Sequence, residues 1–339
     1  MSKIKFAVIG CGHIGKRHAE MISRNEESTL VALVDTKDKS LLGIEKYDIP
    51  FFNHIDDFLN SEVAKDVDVV NIATPNGFHA EYALKCLDAK KHIVIEKPLA
   101  LTKKDAEKIL SKAFQVHKHV FAVMQNRYSP PIAWAKKIMD DNQLGEIYLV
   151  QINCYWNRDE RYYTKDNWHG TIRLDGGSLF TQFSHFIDIL YWLLGDLENI
   201  RSSFKSFNHK GLTEFEDSGI IQFDITGGGM GCMNFTTATW DKNMESSITI
   251  IGKNGSFKIG GQYMDKLEYC HIKNYPTPEL PPTNPANNYG NYTGSAANHG
   301  FIIENVMDVL HGRNTITTNA LEGLKVVEII ERMYNAGKR

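Results

Sequence analysis

Gly10, Gly12 and Gly15 stand in the spacing G-x-G-x-x-G between a short apolar run (Ile4, Phe6, Ala7, Val8, Ile9) and a helix-like segment that reaches Ile22. Each glycine has a task if a dinucleotide binds here. Gly10 turns the chain out of a strand, Gly12 lets backbone N–H groups approach a pyrophosphate, and Gly15 lets the helix pack close to the strand. The helix N-terminus then faces the anion, where unpaired N–H groups and the macrodipole favour negative charge. A second apolar run, Leu30–Val34, ends in Asp35, 20 residues past Gly15, where a ribose-binding carboxylate belongs. Read blandly, the glycines make an ordinary βα turn and Asp35 is a surface acid; strand, helix and acid in register favour the dinucleotide.

The rest of residues 1–124 alternates short apolar runs with helix-period segments, which predicts a parallel sheet with helices on both faces. Strands are expected at Lys3–Ile9, Thr29–Asp35, Val67–Ala73, His92–Glu96 and Val120–Met124, with helices near 14–24, 37–46, 78–89 and 103–116. Ala73-Thr74-Pro75-Asn76 and Glu96-Lys97-Pro98 close two of the strands. In such a sheet the ligand crevice lies at the carboxyl ends of the strands.

After Tyr128 the pattern changes. A helix from Pro130, a strand at 146–155 and an aromatic segment from Trp156 to Trp168 lead to Gly176-Gly177 and an amphipathic helix, Ser178–Leu194. Six alternating segments between 199 and 271 predict a mostly antiparallel sheet with one face on a core. Residues 272–294, rich in Pro and Asn, read as a long loop, and two helices follow near 296–311 and 319–335. The 339 residues thus divide into a first domain at 1–124 and a second at 125–339.

Composition narrows the function. At 42% apolar, 23% charged and net charge −3, with no basic run, nothing points to nucleic acid. The five cysteines are scattered and free of C-x-x-C or Cys/His clusters, so neither a disulfide frame nor a metal site is expected. They fit a reducing cytoplasm. No signal peptide and no membrane span of about 18 apolar residues is expected.

Three motifs together resemble the Gfo/Idh/MocA family: the glycine loop, Glu96-Lys97-Pro98, and Asp175-Gly176-Gly177 followed by His185. The resemblance covers the whole chain. It implies an α/β architecture: an N-terminal Rossmann domain that binds NAD, and a C-terminal α/β domain with an open sheet. It also implies hydride transfer at a sugar-like carbinol and a homo-oligomer, dimer or tetramer. A narrower resemblance lies in Asn157-Arg158-Asp159-x-x-Tyr162-Tyr163, Trp168-His169-Gly170-Thr171, Asp175–Gln182 and Ser295-x-x-Asn298-His299. These are similar to the UDP-N-acetylglucosaminuronate (UDP-GlcNAcA) 3-dehydrogenases of bacterial surface polysaccharides, such as lipopolysaccharide O-antigen. Some members regenerate NAD with 2-oxoglutarate.

The resemblance assigns Lys97 and His185 as catalytic. An ammonium at Lys97 would stabilise an alkoxide, and His185 would handle the proton. Thr181, Gln182, His185 and Asp188 share a helical stripe that is otherwise unexplained on an apolar helix. Many relatives carry Asp where this chain has Thr181. Gly10, Gly12, His13, Ile14, Gly15, Asp35, Thr74, Asn76, His79, Glu96 and Lys97 are the expected cofactor contacts. Lys97, Arg158, Tyr163, Trp168, Thr181, Gln182, His185, Tyr289 and Asn298 are the expected substrate contacts, with Arg158 suited to a carboxylate or phosphate. The alternatives are another sugar or polyol dehydrogenase, a glycosidase using NAD transiently, and a sensor with a dead site, against which retention of Lys97 and His185 argues. Asp35 followed by Thr36, with no arginine there, predicts NAD over NADP. Equal kcat/KM for the two cofactors would overturn this, and Asp35→Ala should narrow the gap.

Overall fold

The computed structural model describes residues 3–164, 167–290 and 292–337. Residues 165 and 166 of the expected aromatic segment, and 291 of the expected long loop, lie outside the described residues. Two compact units form.

The first unit carries the sheet predicted from the alternating runs. In chain order it contains β1 (Ile4–Ile9), α1 (His13–Arg24), β2 (Ser28–Val34), β3 (Phe51–Phe52), α2 (Ile55–Leu59), α3 (Glu62–Lys65), β4 (Val69–Ile72), α4 (His79–Asp88), β5 (His92–Ile95), α5 (Lys103–Gln115) and β6 (Val120–Ala122). The strands pair in parallel in the order β3-β2-β1-β4-β5-β6. Residues Phe6–Ile9, Val69–Ile72 and Ile93–Ile95 are buried throughout, as strands covered on both faces require. Side chains cap two of the helices: Thr102 accepts from Asp105 N and Ser61 from Ala64 N. The helix expected at 37–46 is only a short 3-10 turn, Lys39–Leu41, and Gly43 at φ +64° stops any continuation. The short β3, α2 and α3 escaped the sequence reading because they hold too few residues for a period to show.

The second unit contains α6 (Pro130–Asp140), β7 (Ile147–Tyr155), α7 (Ser178–Thr181), α8 (Ser184–Leu194), β8 (Leu197–Lys205), β9 (Ser218–Ile225), β10 (Met230–Thr236), β11 (Glu245–Gly252), β12 (Gly255–Gly260) and β13 (Lys266–Ile272). Its sheet runs β13-β12-β11-β7-β10-β9-β8, antiparallel except for the β7–β10 pair. Alternation puts Val150, Ile152, Ile248 and Ile250 inside and Leu149, Met230 and Ile251 outside. These three lie side by side in register on the open face. Within the expected loop, β14 (Ala286–Asn288) and β15 (Thr293–Ala296) form a two-stranded ribbon.

The single helix expected at Ser178–Leu194 is two. Phe183 N donates to Ser178 O, five residues back, and this widened turn separates α7 from α8. Two further helices follow, α9 (His299–Leu310) and α10 (Ala320–Ala336). Residues His299–Val327 fold with the first unit, and Glu328 onward with the second, although the sequence reading groups them all with the second. Long-range contacts decide this. Gly300 on α9 comes against Met21 of α1, and Ala122 N donates to Thr318 O (3.0 Å) along the open edge of β6.

A Cβ on Gly15 would stand 1.6 Å from Gly10 O, whereas one on Gly12 would meet nothing within 4 Å. Gly15→Ala is therefore expected to cost about 3 kcal/mol or more of unfolding free energy in urea, because backbone rather than a flexible side chain must give way. Gly12→Ala should stay within about 1 kcal/mol of the parent.

Candidate active site

The carboxyl edge of the first sheet gathers the expected cofactor residues. Gly10 takes φ +86°, and a Cβ there would strike Ala73 O at 2.5 Å, so the turn after β1 lies flush against the end of β4. Gly12 is the N-cap of α1; no side chain caps the helix and its first turn has no acid. First-turn N–H groups without a side-chain cap suit an anion. His13 and Ile14 begin α1 directly after this cap. Asp35 is half-buried at the end of β2. Its Oδ2 accepts from Cys11 N (2.6 Å) and its Oδ1 from Lys37 N (2.9 Å), which aims the carboxylate from the glycine loop. These residues fit a dinucleotide: an open glycine, an uncapped helix start and an oriented ribose acceptor. Burial, together with Asp35, pushes the neighbouring Cys11 thiol up to about 12, so it stays protonated.

Thr74 is half-buried and Asn76 buried at the next strand end. His79 differs from its expected role of lining a groove. It is fully buried, with Nδ1 2.7 Å from Pro98 O and Nε2 3.0 Å from Thr74 O. The ring thus ties the Thr74 turn to the Glu96-Lys97-Pro98 turn. Burial drives it toward the neutral form, in which only one of the two carbonyls receives a proton. Lys97 is half-buried between Glu96 and a cis proline, in a turn whose other residues are all buried. Glu96 Oε2 accepts from Lys97 N at 3.3 Å, and its Oε1 lies 2.9 Å from His18 Nε2.

In the second unit His185 lies in the first turn of α8 and is buried. The polar stripe beside it has structural partners. Asp188 forms a two-point pair with Arg127, Nε–Oδ2 2.8 Å and Nη2–Oδ1 2.6 Å, both side chains fully buried. This pair clamps the short turn Gln125–Tyr128 onto α8, one helical turn past His185. The Thr181 hydroxyl donates to the carboxylate and carbonyl of Asp175, whose other oxygen accepts from Gly170 N (2.8 Å). A buried carboxylate therefore does stand beside position 181, supplied by Asp175. Gln182 is held at both ends, accepting from Arg158 Nε (2.9 Å) and donating to Tyr162 Oη (2.9 Å).

Arg158 differs most from its sequence reading. The expectation was a guanidinium offered to a substrate carboxylate or phosphate. It is buried, and besides Gln182 it donates from Nη1 to Asn157 O (2.6 Å) and Asn243 Oδ1 (3.2 Å), and from Nη2 to Thr293 O (3.2 Å). Trp156, Tyr162 and Tyr292 surround it, with ring centroids 4.8–5.2 Å from Cζ. Among the described residues no carboxylate pairs with it. Aromatic faces and backbone oxygens replace the counter-ion. Two-point binding of a ligand would require breaking several of these bonds. Asn298 is similarly occupied, donating to Gln125 O (3.2 Å) and Ser129 Oγ (3.3 Å) and accepting from Asn284 (2.8 Å). Tyr163 is buried against Tyr162, His209 and Phe215, and burial raises its hydroxyl well above the usual range. Trp168, stacked on His169 at 3.9 Å, and Tyr289, against Tyr292 at 5.1 Å, keep partial exposure.

Sequence reasoning passed over Asn126, although it is 2% exposed and neither amide atom has a hydrogen-bond partner among the described residues. It also missed the work of Asp175 and of His18. Only the spacing Gly15-x-x-His18 hinted that the histidine lies on the inner face of α1.

The profile described as "Oxidoreductase family, NAD-binding Rossmann fold" matches residues 4–124, and "GFO/IDH/MocA C-terminal domain" matches residues 132–258. The chain belongs to the Gfo/Idh/MocA family. It is similar over 99% of its length to the WlbA dehydrogenase from Bordetella pertussis, whose crystal structure holds NADH and UDP-GlcNAcA (TM-score 0.87, 28% identity, 96% of that chain covered). Oxidoreductase P35 of Formosa agariphila is 26% identical over 76% of this chain and 79% of its own length. The inositol 2-dehydrogenase of Rhizobium meliloti is 28% identical over 57% of this chain, which spans about half (56%) of that relative.

This family member is an NAD-dependent sugar or polyol dehydrogenase. NAD, when bound, supplies the hydride acceptor. The chain's part is to bind that cofactor, for which the uncapped start of α1 and the oriented Asp35 carboxylate are suited, and to move a proton from the hydroxyl being oxidised. The buried Arg158 network yields a prediction. Arg158→Ala takes the guanidinium donor from Gln182 Oε1 and Asn157 O, leaves Asn243 Oδ1 only Asn157 N and Thr293 O only Asn243 Nδ2, and empties a packed aromatic cage, so it should lower unfolding free energy by about 3 kcal/mol or more. An arginine serving only a ligand would change KM and leave chemical denaturation where it was.

Proposed function

We propose that this dehydrogenase oxidises the C3 hydroxyl of the UDP-sugar uronic acid UDP-GlcNAcA (UDP-N-acetyl-2-amino-2-deoxy-D-glucuronate) to the 3-keto sugar, in the cytoplasm, for a surface polysaccharide such as an O-antigen. The observation that carries this reading is the likeness over 99% of the chain to a dehydrogenase crystallised with UDP-GlcNAcA. The retained Lys97 and His185 support it. On this reading Lys97 carries the main role, as donor to the C3 oxygen or, when neutral, as acceptor of its proton. His185 positions the hydroxyl or passes the proton outward. Trp168 and Tyr289, aromatic and partly exposed, are the best placed of the expected residues to stack on a base or sugar. Arg158 and Gln182 act by holding the turn that carries His185. The open apolar row Leu149, Met230 and Ile251 supports a homo-oligomer, dimer or tetramer, built through the second sheet. Reoxidation of NADH by 2-oxoglutarate belongs to the same reading.

Mass spectrometry after incubation with UDP-GlcNAcA, UDP-GlcNAc and myo-inositol tests the substrate. The expected product is UDP-GlcNAcA lighter by one hydride and one proton. Equal turnover of UDP-GlcNAc, which lacks the carboxylate, or turnover of inositol alone, would overturn it. For the residues, Lys97→Ala should abolish turnover, whereas His185→Asn should keep measurable activity with NAD binding intact. If both variants are equally inactive while still binding cofactor and substrate, the lead role of Lys97 fails.

A further inference from the structure

His18 on α1, Glu96 after β5 and His299 at the start of α9 meet inside the first unit, although they stand far apart in the sequence. All three are buried. His18 Nε2 stands 2.9 Å from Glu96 Oε1, and His299 Nε2 stands 3.5 Å from the same oxygen. One ligand atom from each residue lies within 4.8 Å of the other two.

Hydrogen bonds account for only part of this cluster. His18 is held on both sides, by Glu96 and by Asn71 of β4, whose Nδ2 is 2.9 Å from His18 Nδ1. His299 is 1% exposed, and among the described residues neither of its ring nitrogens has a hydrogen-bond partner. A buried polar ring without partners is costly and calls for an explanation. Its Nε2 nevertheless points close to a carboxylate that already receives a second imidazole.

Two imidazole nitrogens and one carboxylate oxygen form a zinc-binding set. Magnesium and calcium prefer oxygen ligands throughout. In a tetrahedral zinc site the donors lie 2.0–2.2 Å from the metal and so about 3.3 Å from one another. The His299–Glu96 separation is close to that value already. The His18–Glu96 pair needs to open by about 0.4 Å, and the histidine nitrogens need to close from at most 4.8 Å.

The surroundings supply what such a site requires. A histidine that binds through Nε2 carries its proton on Nδ1 and gives it to an outer acceptor. Asn71 Oδ1 has no hydrogen-bond partner among the described residues, so nothing holds the amide in its present sense. Turned over, it offers that oxygen to His18 Nδ1. Glu96 Oε2 accepts from Lys97 N at 3.3 Å, which orients the carboxylate and leaves Oε1 toward the histidines.

We propose that His18, Glu96 and His299 bind one zinc ion, with a water in the fourth position. The ion is a structural clasp. It ties α1 and the end of β5 to α9, the segment that returns to the first unit after the second sheet. No local Cys/His spacing announces it, because its ligands come from three distant segments. The inference does not depend on the identity of the sugar.

The test is zinc titration of the purified full chain, stripped with a chelator, against a chromophoric competitor. One zinc per chain is expected, with a Kd of about 1 µM or tighter, and Tm should rise as zinc is added. His299→Gln should weaken the zinc affinity by about 100-fold or more, because it removes a ligand outright. A histidine that is merely packed would change Tm and leave zinc affinity alone. Failure of the parent chain to bind zinc at about 100 µM, or unchanged affinity in folded His299→Gln, overturns the proposal. Should that variant not fold, anomalous diffraction at the zinc edge from zinc-soaked crystals of the parent decides. A peak between His18, Glu96 and His299 is expected, and peaks only elsewhere overturn the site.

Discussion

Everything at the cofactor edge depends on how closely α1 approaches β1. With a Cβ on Gly15 only 1.6 Å from Gly10 O, nothing larger than hydrogen fits between helix and turn. That approach brings Gly12 and the start of α1 to the strand ends. It also carries His18, one turn further along, into reach of Glu96 and Asn71. A helix set back by a methyl group would lose both the anion cradle and the buried carboxylate cluster. Packing and ligand geometry are set here by the same contact, so the glycine loop cannot drift without disturbing the turn that bears Lys97.

In the second unit buried guanidinium groups do the comparable work. Arg127 locks the 125–128 turn to α8 through Asp188, and Arg158 locks Gln182 at the break between α7 and α8. A buried charge without its hydrogen bonds is costly, so each arginine admits few arrangements of its neighbours. His185 stands between these two fixed points in sequence. Asp175 adds a third, through Thr181 and Gly170. These three networks fix the residues on either side of His185, so the backbone that carries it is set before any ligand arrives.

The local pattern of the chain was sufficient for the parallel sheet, the antiparallel sheet, the glycine loop and the Glu-Lys-Pro turn. Periods of 2 and 3.6 and the requirement for glycine are properties of neighbouring residues, so they can be read along one dimension. The family resemblance added Lys97 and His185. Reading Arg158 and Asn298 as ligand contacts rested on the family resemblance and on the chemistry of guanidinium and amide groups, and that chemistry serves a protein carbonyl as well as a substrate. The widened turn at Phe183, which ends the simple i, i+4 stripe, has no signature in a helix-period sequence.

What the sequence by itself determined is therefore the architecture and the family. Only the tertiary structure decided which polar side chains are already engaged. Arg158 meets Asn243 and Thr293 from distant segments. His18, Asn71, Glu96 and His299 converge from two strand ends and two helices, and His299 belongs to a segment that returns to the first unit after the whole second sheet. Hydrogen-bond satisfaction is set by distance in space, and residues hundreds of positions apart come within 3–4 Å only once the chain has closed.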